Sequence, residues 1–587
     1  MARVAGTRRD DRADAFNTGG LVDASARGSN STDDTLLTAA WTAIAGDATT
    51  NELRGQLSTR QVDLRTTSAQ GPGVVIPGIA EFGRPYSGND SHHQRYAEAG
   101  DTLAWSRGAH FIKAGFDFTN LALTGTRADG AGGIYLFRSL DAFASGQPDQ
   151  FRQTFGQSDV DWSANRGGVF VQEHWTPSPQ FTLDAGARFD AESVPSSLAV
   201  TNRQWTPRLG VAWLSAPKWL IRGGAGIFAD RVVLAALEPA LVIDGRRAYE
   251  QVVDGAAATH VFATNGGGPA LAPLAGVAPS TYTAQPGSWH PSSRQATIGV
   301  EREITPNLSA SVNYLFVRGH GLTRTVNVNL AAPIVLTAAN APSLGVDAPV
   351  PQQIGRPVFG PARMDAAFDG VFQLQPTASS TYHGVTAALN RRLADEIEWS
   401  VAYTWSRATD TASDFGEQPQ DTYDLNAEAG HSRYDERHRF VASALIELPI
   451  GDEGDQAAAG MWVRIFRNIE LAPILAIDAG RPVNALTGLD DARTHAYPAT
   501  ARPLGAARNS LRLPASATLD LRILKFFPVK PHGRLDLVVE AFNLFNRVNV
   551  TGIDAVYGPM TTPLPAFGHP IDAAAARWLQ FSLDFEF

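Results

Sequence analysis

The hydrophobic pattern of this chain repeats every second residue along much of its length. In the segment 181–190, apolar residues occupy the odd positions from Phe181 to Phe189, and polar residues and glycine occupy the even ones. An α-helix cannot produce this spacing, whereas a β-strand places alternate residues on opposite faces. The same alternation occurs in 112–119, 308–316, 399–406 and 579–587. The pattern predicts a protein built from strands with one apolar and one polar face.

Strand length separates the two environments that produce such strands. One is a soluble antiparallel sheet with one face in water, and the other is a transmembrane barrel with lipid outside and water inside. We count roughly seventeen candidate strands, many of which reach the roughly 9–11 residues that cross a tilted path through a bilayer. They exceed the ~5–6 residues of a typical soluble strand. The lengths favour the barrel.

Short and long connections alternate along the chain. Short links are predicted near 46–51, 107–109, 176–180, 215–218, 304–307, 393–396 and 528–533, with a somewhat longer one at 449–460. Long segments rich in Gly, Pro, Asn and Asp lie between them, at 66–93, 120–166, 191–203, 229–289, 319–378, 409–434, 481–515 and 549–573. Periplasmic turns and extracellular loops alternate in this way in outer-membrane barrels.

Composition excludes several other classes of protein. Charged residues make up 18% of the chain, below the roughly 25% of a typical soluble protein. The most apolar stretch, 232–243, is interrupted by Glu238 and Pro239, so no helix long enough to span a bilayer is predicted. The net charge of −10 opposes nucleic-acid binding, and the absence of cysteine excludes disulfides and thiolate sites.

The direction of the strands leads to an expectation about the N-terminus. Counting back from the C-terminal strand, the strand at 36–45 runs toward the short-turn side. A closed bacterial barrel has an even number of strands with both ends on that side. We therefore expect at least one further strand, either upstream of the chain or concealed in residues 1–35. Residues 1–34 are otherwise predicted to be an irregular segment, followed by a barrel domain at 35–587.

Several short segments carry a family resemblance. They are 51–54 (NELR), 167–175 (GGVFVQEHW), 181–190 (FTLDAGARFD), 295–303 (QATIGVERE), 403–407 (YTWSR), 435–440 (DERHRF), 540–547 (EAFNLFNR) and the final Phe587. Together and in this order they resemble the TonB-dependent outer-membrane transporters, specifically the Oar-like branch. The resemblance covers nearly the whole chain from about Leu36 onward.

The resemblance implies an all-β transmembrane antiparallel barrel of the TonB-dependent receptor type, with roughly 18–22 strands. It also implies a plug inside the barrel and uptake of a scarce or bulky ligand, driven by an inner-membrane complex. No signal peptide, TonB box, plug or carboxypeptidase-like domain is recognised in the sequence. We therefore expect the barrel portion of an N-terminally truncated receptor, located in the bacterial outer membrane and without enzymatic activity.

Expected partners follow from the same reasoning. The C-terminal strand ending at Phe587 resembles the signal that barrel-assembly machinery recognises, and the outer face is expected to contact outer-membrane lipid. A TonB complex is expected as a partner only if a plug segment is supplied. The ligand is an unidentified small or oligomeric molecule, such as a siderophore, oligosaccharide or peptide. No nucleic-acid partner, cofactor, metal site or catalytic residue is predicted.

Three groups of residues are candidate functional features. Outward aromatics, namely Trp175, Trp399, Tyr403 and Trp405, are expected to form interfacial girdles. Inward charges are expected to hydrate and salt-bridge the lumen, or to pair with a plug; they are Lys113, Asp117, Asp184, Arg188, Asp190, Asp536, Glu540, Asp584 and Glu586. The stretch 431–438 and the pair His92 and His93 match no metal-ligand spacing, so a polar loop cluster is the better interpretation.

Two alternative functions remain open at this point. A passive or structural outer-membrane barrel would need no energy coupling. A secreted all-β hydrolase, such as a propeller, is less favoured because no blade-length repeat of roughly 40–50 residues is found.

Overall fold

In the computed structural model, the largest sheet of the chain has 21 strands and is antiparallel except for two pairings of short strands. The structure describes residues 2–15, 21–68, 71–346, 349–394, 396–448, 466–529 and 533–586. Three strands of the sheet are short, and the other 18 pair with their sequence neighbours in antiparallel register. They are β1 (Ala2–Ala15), β2 (Arg27–Ala45), β3 (Thr49–Thr66), β4 (Asp90–Arg107), β5 (His110–Thr126), β6 (Asp159–Ser178), β7 (Phe181–Ser193), β8 (Val200–Ala216), β9 (Trp219–Ala229), β10 (Ser292–Thr305), β11 (Leu308–Asn327), β12 (Val371–Ala394), β13 (Ile397–Asp410), β14 (His438–Glu447), β15 (Ile469–Asp478), β16 (Ser516–Val529), β17 (Gly533–Phe542) and β18 (Trp578–Glu586).

The two faces of the wall differ as the alternation predicts. In β8, Asn202, Gln204 and Thr206 are buried on the inner face, whereas Trp205 between them is 67% exposed on the outer face. Large apolar side chains cover the outer face of the other strands in the same way, among them Trp41, Phe116, Val171, Ile298 and Phe581. An apolar outer face and a polar inner face are the signature of a transmembrane barrel. The predicted fold class is therefore confirmed.

Nine connections, eight of them longer than ten residues, leave the wall at one end. We number them loops 1 to 9 in chain order: 16–26, 67–89, 127–158, 194–199, 230–291, 328–370, 411–437, 479–515 and 543–577. The opposite end carries the short turns, where Gly46 and Gly108 adopt φ values of 65° and 58° that favour glycine. The predicted alternation of short and long connections is present. The predicted turn at 449–460 lies outside the described residues.

The N-terminal segment differs from the expected irregular one. Strand β1 lies within residues 2–15 and pairs with β2, which itself begins at Arg27 rather than near residue 35. This is the additional strand that the parity of the connections required, and it brings the described long strands to an even number. Its sequence shows no apolar alternation and so gave no sign of a strand, but its main chain pairs with β2 through groups that every residue carries. The prediction of an irregular segment at 1–34 was wrong for this reason.

Aromatic residues on the outer face lie at two levels. Trp175 is opposite His110 at the turn end of β5, and Trp399 is the third residue of β13. Tyr403 and Trp405 lie farther along β13, opposite Phe440 and His438 at the start of β14 and close to loop 7. Both Tyr403 and Trp405 are exposed on the outer face. These positions match two interfacial levels separated by an apolar band.

The long loops fold together instead of extending separately. Segments of loops 1, 2, 3 and 5 form a six-stranded sheet in the order Ala248–Asp254, Gln150–Gly156, Ile134–Leu136, Gly73–Ile76, Ala80–Gly83 and Leu21–Val22. Helices α1 (Leu140–Ala144) and α3 (Gly255–Thr264) pack beside this sheet. Tyr135, Phe137 and Phe151 form its fully buried core. We call this sheet, together with the segments of loops 6 to 9 that contact it or one another, the loop assembly.

Helix α2 (Leu234–Val242) lies inside the loop end of the barrel. Its buried residue Leu237 belongs to one apolar cluster with Leu123, Trp162 and Val200, which are inner-face residues of β5, β6 and β8. The stretch 232–243, too short and interrupted to cross a bilayer, is therefore buried by filling the mouth of the barrel. Among the described residues, no helix is long and apolar enough to span a membrane.

The two faces predict effects of different size for a charge at adjacent positions of β6. Val171 is on the outer face, and Gln172 faces the lumen. Val171→Arg should lower the free energy of unfolding by about 2–4 kcal/mol, the cost of arginine near the bilayer midplane. Gln172→Arg should have little effect. The free energy of unfolding of both variants can be measured by urea unfolding in lipid vesicles, with the folded fraction read from the heat-modifiable band on a gel. Equal effects at the two positions would contradict the assigned faces.

Candidate functional site in the loop assembly

Loops from opposite sides of the wall meet over the mouth of the barrel. The guanidinium of Arg152, in loop 3, donates a hydrogen bond of 2.9 Å to the carbonyl of His495, in loop 8. Loop 6 contacts loop 9, where Gln352 Nε2 donates to the carbonyl of Met560 at 2.9 Å. Loops 3 and 8 are separated by about half of the strands around the wall. The contact between them therefore crosses the mouth.

His495 is the centre of a buried ion cluster that joins three loops. Its Nδ1 lies 2.6 Å from Asp369 Oδ2 in loop 6, and its Nε2 lies 2.9 Å from Asp254 Oδ2 in loop 5. Each carboxylate also contacts an arginine: Arg363 at 2.6 Å from Asp369, and Arg493 at 3.5 Å from Asp254. Both ring nitrogens therefore face acceptors, which is the arrangement of a protonated imidazolium.

The charge states follow from this geometry. Burial lowers the pKa of His495, but the facing carboxylates of Asp254 and Asp369 outweigh it and raise that pKa to about 10. Burial raises the pKa of Asp369, but His495 and Arg363 outweigh it and lower that pKa to about 2. The pKa of Asp254 is lowered for the same reason, by His495 and Arg493. At neutral pH the cluster holds a cation between two carboxylates.

A buried ion pair lies next to the cluster around His495. Arg152 and Glu250 are both fully buried, with Nη1 and Oε1 separated by 3.5 Å. Tyr86 of loop 2 donates to Glu250 at 3.1 Å, and the guanidinium of Arg152 lies 4.7 Å from the ring centroid of Tyr497 in loop 8. These contacts connect loops 2, 3, 5 and 8 through Arg152 and Glu250.

A third cluster holds loop 8 against loop 7. Arg502 contacts Glu428 through two nitrogens, at 2.6 and 3.1 Å. Arg508 contacts Glu417 at 2.7 Å and also pairs with Asp410 at the end of β13. All of these side chains are almost completely shielded from solvent. Buried charges are stable only when they are paired in this way.

Asp491 differs from these paired groups. It is fully buried, and neither of its carboxylate oxygens has a hydrogen-bond partner among the described residues. Burial raises its pKa to about 6. Asp491 therefore loses most of its charge under mildly acidic conditions.

Five of the nine inward charges predicted for the lumen form ion pairs along the wall. Arg188 contacts Asp117 at 2.6 Å and Asp190 at 2.7 Å. His174 contacts Asp184 at 2.7 Å, and Lys113 lies 5.1 Å from the ring centroid of Phe111. Asp536 pairs with Arg534 at 2.6 Å. Among the nine predicted residues, Arg188, Asp117 and Asp190 are thus brought together, and the side chain of Glu586 lies outside the described part.

The two histidine-containing stretches form polar clusters. Asp435 is buried and accepts from Arg437 at 3.1 Å and from Arg512 at 2.5 Å, and His431 Nδ1 is 3.4 Å away. His92 lies 3.2 Å from Glu238. Within the ranges that the structure describes, no group of three or more His, Asp and Glu side chains could hold a metal ion.

Sequence comparison assigns the family. The model described as "Outer membrane beta barrel domain" matches residues 2–199 and 196–505. The chain belongs to the outer membrane β-barrel family. This barrel is 26% identical, over 389 residues, to the TonB-dependent transporter Oar of Myxococcus xanthus. The matched region covers 60% of the barrel chain and 34% of Oar, so the chain spans about a third of that relative.

Solved structures share the fold. The FrpB iron transporter of Neisseria meningitidis superposes with a TM-score of 0.56 and 11% identity, covering 99% of this barrel and 68% of FrpB. The outer membrane transporter YddB of Escherichia coli gives 0.54 and 11%, covering 100% and 65%. These relatives are transporters rather than enzymes. The chain is therefore an outer-membrane β-barrel that is similar in sequence to a TonB-dependent transporter and in fold to other outer-membrane transporters, as the sequence motifs predicted.

Substitution of His495 tests the central cluster. His495→Asn removes the cation between Asp254 and Asp369 and leaves two buried carboxylates facing each other. Breaking a buried ion pair in this way costs about 3–5 kcal/mol, so trypsin should cleave loop 8 much faster while the barrel stays heat-modifiable. His569→Asn, at an exposed position in loop 9, is the matched control. Unchanged cleavage in His495→Asn would show that the cluster does not hold the loops.

The same cluster predicts a pH dependence. Because the pKa of His495 rises from 6.5 to about 10 on folding, its stabilising effect is complete below pH 6.5 and disappears as the pH rises through 10. The effect of Asp369, whose pKa falls from 3.8 to about 2, is present above pH 3.8 and disappears as the pH falls through 2. A nitroxide label on Ala507→Cys, which is the only cysteine in that variant, should gain mobility at high pH. His495→Asn should abolish this change.

Proposed function

We propose that this chain is the barrel of an energy-coupled outer-membrane receptor that takes up a scarce or bulky ligand. The observation that carries the proposal is the folded loop assembly over the mouth. Ion clusters centred on His495, Arg152 and Arg508 join loops that are distant in sequence. A resting barrel closed in this way needs a conformational change before a bulky solute can pass.

The ligand class is the next part of the proposal. Siderophores, oligosaccharides and peptides are the candidates, because the motifs resemble a family that carries such molecules. Solved relatives of the same fold include a protein described as an iron transporter and one bound to iron–pyoverdine complexes. Their low sequence identity supports the fold alone, so a metal chelate is one candidate among the three.

The proposed partners follow from the proposed function. Energy coupling requires a TonB complex, which acts on this barrel only when a plug segment is supplied. The apolar outer face fits outer-membrane lipid. The C-terminal strand ending at Phe587 is proposed to guide recognition by barrel-assembly machinery; Phe587 itself lies outside the described residues.

A passive or structural barrel is the alternative. The polar lumen, with ion pairs such as Arg188 with Asp117 and Asp190, would suit an aqueous pore. A passive pore, however, requires an open path at rest. The loop assembly favours the receptor.

Planar-bilayer conductance distinguishes the two functions. The purified chain should show little steady conductance, because loops meet across its mouth, and His495→Asn should show frequent openings as those loops separate. Val171→Thr, on the outer face, is a control that leaves the mouth unchanged. A large, steady conductance of the unmodified chain would contradict the receptor and support the passive pore.

A further inference from the structure

A cavity of about 620 Å³ opens at the surface of the loop assembly, where loops 3, 5, 6 and 8 meet. Its rim includes Gln147, Ala257 and Gly345, which are exposed to solvent. Ligand cavities in proteins usually measure roughly 300–1,000 Å³. The size therefore suits a small organic molecule rather than a single ion.

Arg493 presents unused hydrogen-bond donors to this cavity. One nitrogen donates to the carbonyl of Leu344 at 2.6 Å, and another lies 3.5 Å from Asp254. A guanidinium has five N–H donors, and the others have no partner among the described residues. A planar fork of free donors is the group that binds carboxylates most effectively.

Asp490 is the complementary group on the same wall. Its oxygens accept from the backbone nitrogens of Thr494 at 2.9 Å and His495 at 2.6 Å. No cation lies within ion-pair distance of Asp490 in the described part of the chain. The other cavity carboxylates are already neutralised, since Asp149 pairs with Arg138 and Asp254 pairs with His495. Asp490 is therefore the carboxylate best able to attract a positively charged group.

Part of the remaining wall of the cavity is apolar, beside polar side chains such as Gln150 and Gln353. The apolar part is lined by Leu136, Ala142, Val346, Val350 and Leu489. A ligand that fills the cavity therefore has apolar parts as well as charges of both signs. A simple anion would meet Asp490, and a simple cation would meet Arg493, so neither suits the site alone.

We infer that this cavity binds a zwitterionic, peptide-like ligand, with its carboxylate at Arg493 and its ammonium group at Asp490. The inference rests on the proposed receptor function and specifies its ligand class. Asp254 lines the same cavity and is the carboxylate that His495 contacts in loop 5. The bound ligand therefore touches a residue that holds loop 5 to loop 8.

The test uses peptide probes that lose one charge at a time. The chain has no cysteine, so a fluorophore on Ala257→Cys reports from the rim without background labelling. The probes are trileucine with free termini, its N-acetylated form and its C-terminal amide. Removing either charge should weaken binding to the labelled protein by about tenfold, the effect expected for one charge-assisted hydrogen bond.

Two variants assign each charge to its residue. In Asp490→Asn, trileucine and its N-acetylated form should bind equally, while the amide still binds more weakly. In Arg493→Gln, the free acid and the amide should bind equally, while N-acetylation still weakens binding. Asp414→Asn, in loop 7, is the control and should retain both preferences. Because each comparison is made within one variant, a general loosening of the loops cannot imitate the result.

Two outcomes would overturn the inference. One is the absence of saturable binding of trileucine at millimolar concentration to the unmodified protein. The other is persistence of both preferences in Asp490→Asn and Arg493→Gln. Either result leaves the receptor function intact, since that function is tested separately by conductance. A steady open pore that still binds trileucine would reject the receptor while retaining the site.

Discussion

Pairing of the peptide backbone is the constraint on which this structure depends. In lipid, an unpaired N–H or C=O group costs several kcal/mol, so a spanning chain of strands must satisfy its groups between neighbours. The 18 long strands do so in continuous antiparallel register, from β1 beside β2 to β17 beside β18. Because the strands of the wall must keep this pairing, most of the irregular backbone that the structure describes lies in the loops at one end. The nine loops there are the part of the barrel able to vary and to recognise a ligand.

Buried charge, rather than apolar surface alone, holds those loops in one arrangement. The apolar clusters around Leu237 and Phe137 fill space, but they do not specify which loops meet. Each ion cluster does, because a buried guanidinium or imidazolium is stable only beside its own carboxylates. His495 joins loops 5, 6 and 8, and Arg508 joins loop 8 to loop 7 and β13. Loss of one partner therefore affects several loops together.

The sequence predicts the wall well and the loop assembly poorly, for a physical reason. The alternation around Phe181 and Phe581 depends only on neighbouring residues, because successive side chains of a strand point to opposite faces. Strands and turns can therefore be predicted from it. Strand β1 is not predicted from the sequence because it shows no such alternation. Arg152 meets His495 across 343 positions, and nothing in the spacing of either residue indicates the other. The apolar stretch 232–243 was a usable signal: an apolar run too short to span a bilayer, inside a long loop, indicates a buried element.

Because loops of the chain meet across the mouth of the barrel, passage of a ligand requires the contacts between those loops to break. A wide barrel without any obstruction would be a permanent hole, but here loops of the same chain meet across its mouth. Separating loop 8 from loops 5 and 6 moves His495 and its carboxylates from a low-dielectric environment into water, where a pair at 4 Å interacts by about 1 kcal/mol instead of about 4 kcal/mol. Hydration compensates part of that loss, and a charged ligand can compensate more. A zwitterion held by Arg493 and Asp490 lies beside Asp254, the carboxylate from which His495 separates when loop 8 moves, so ligand binding and loop opening would involve the same cluster of charges.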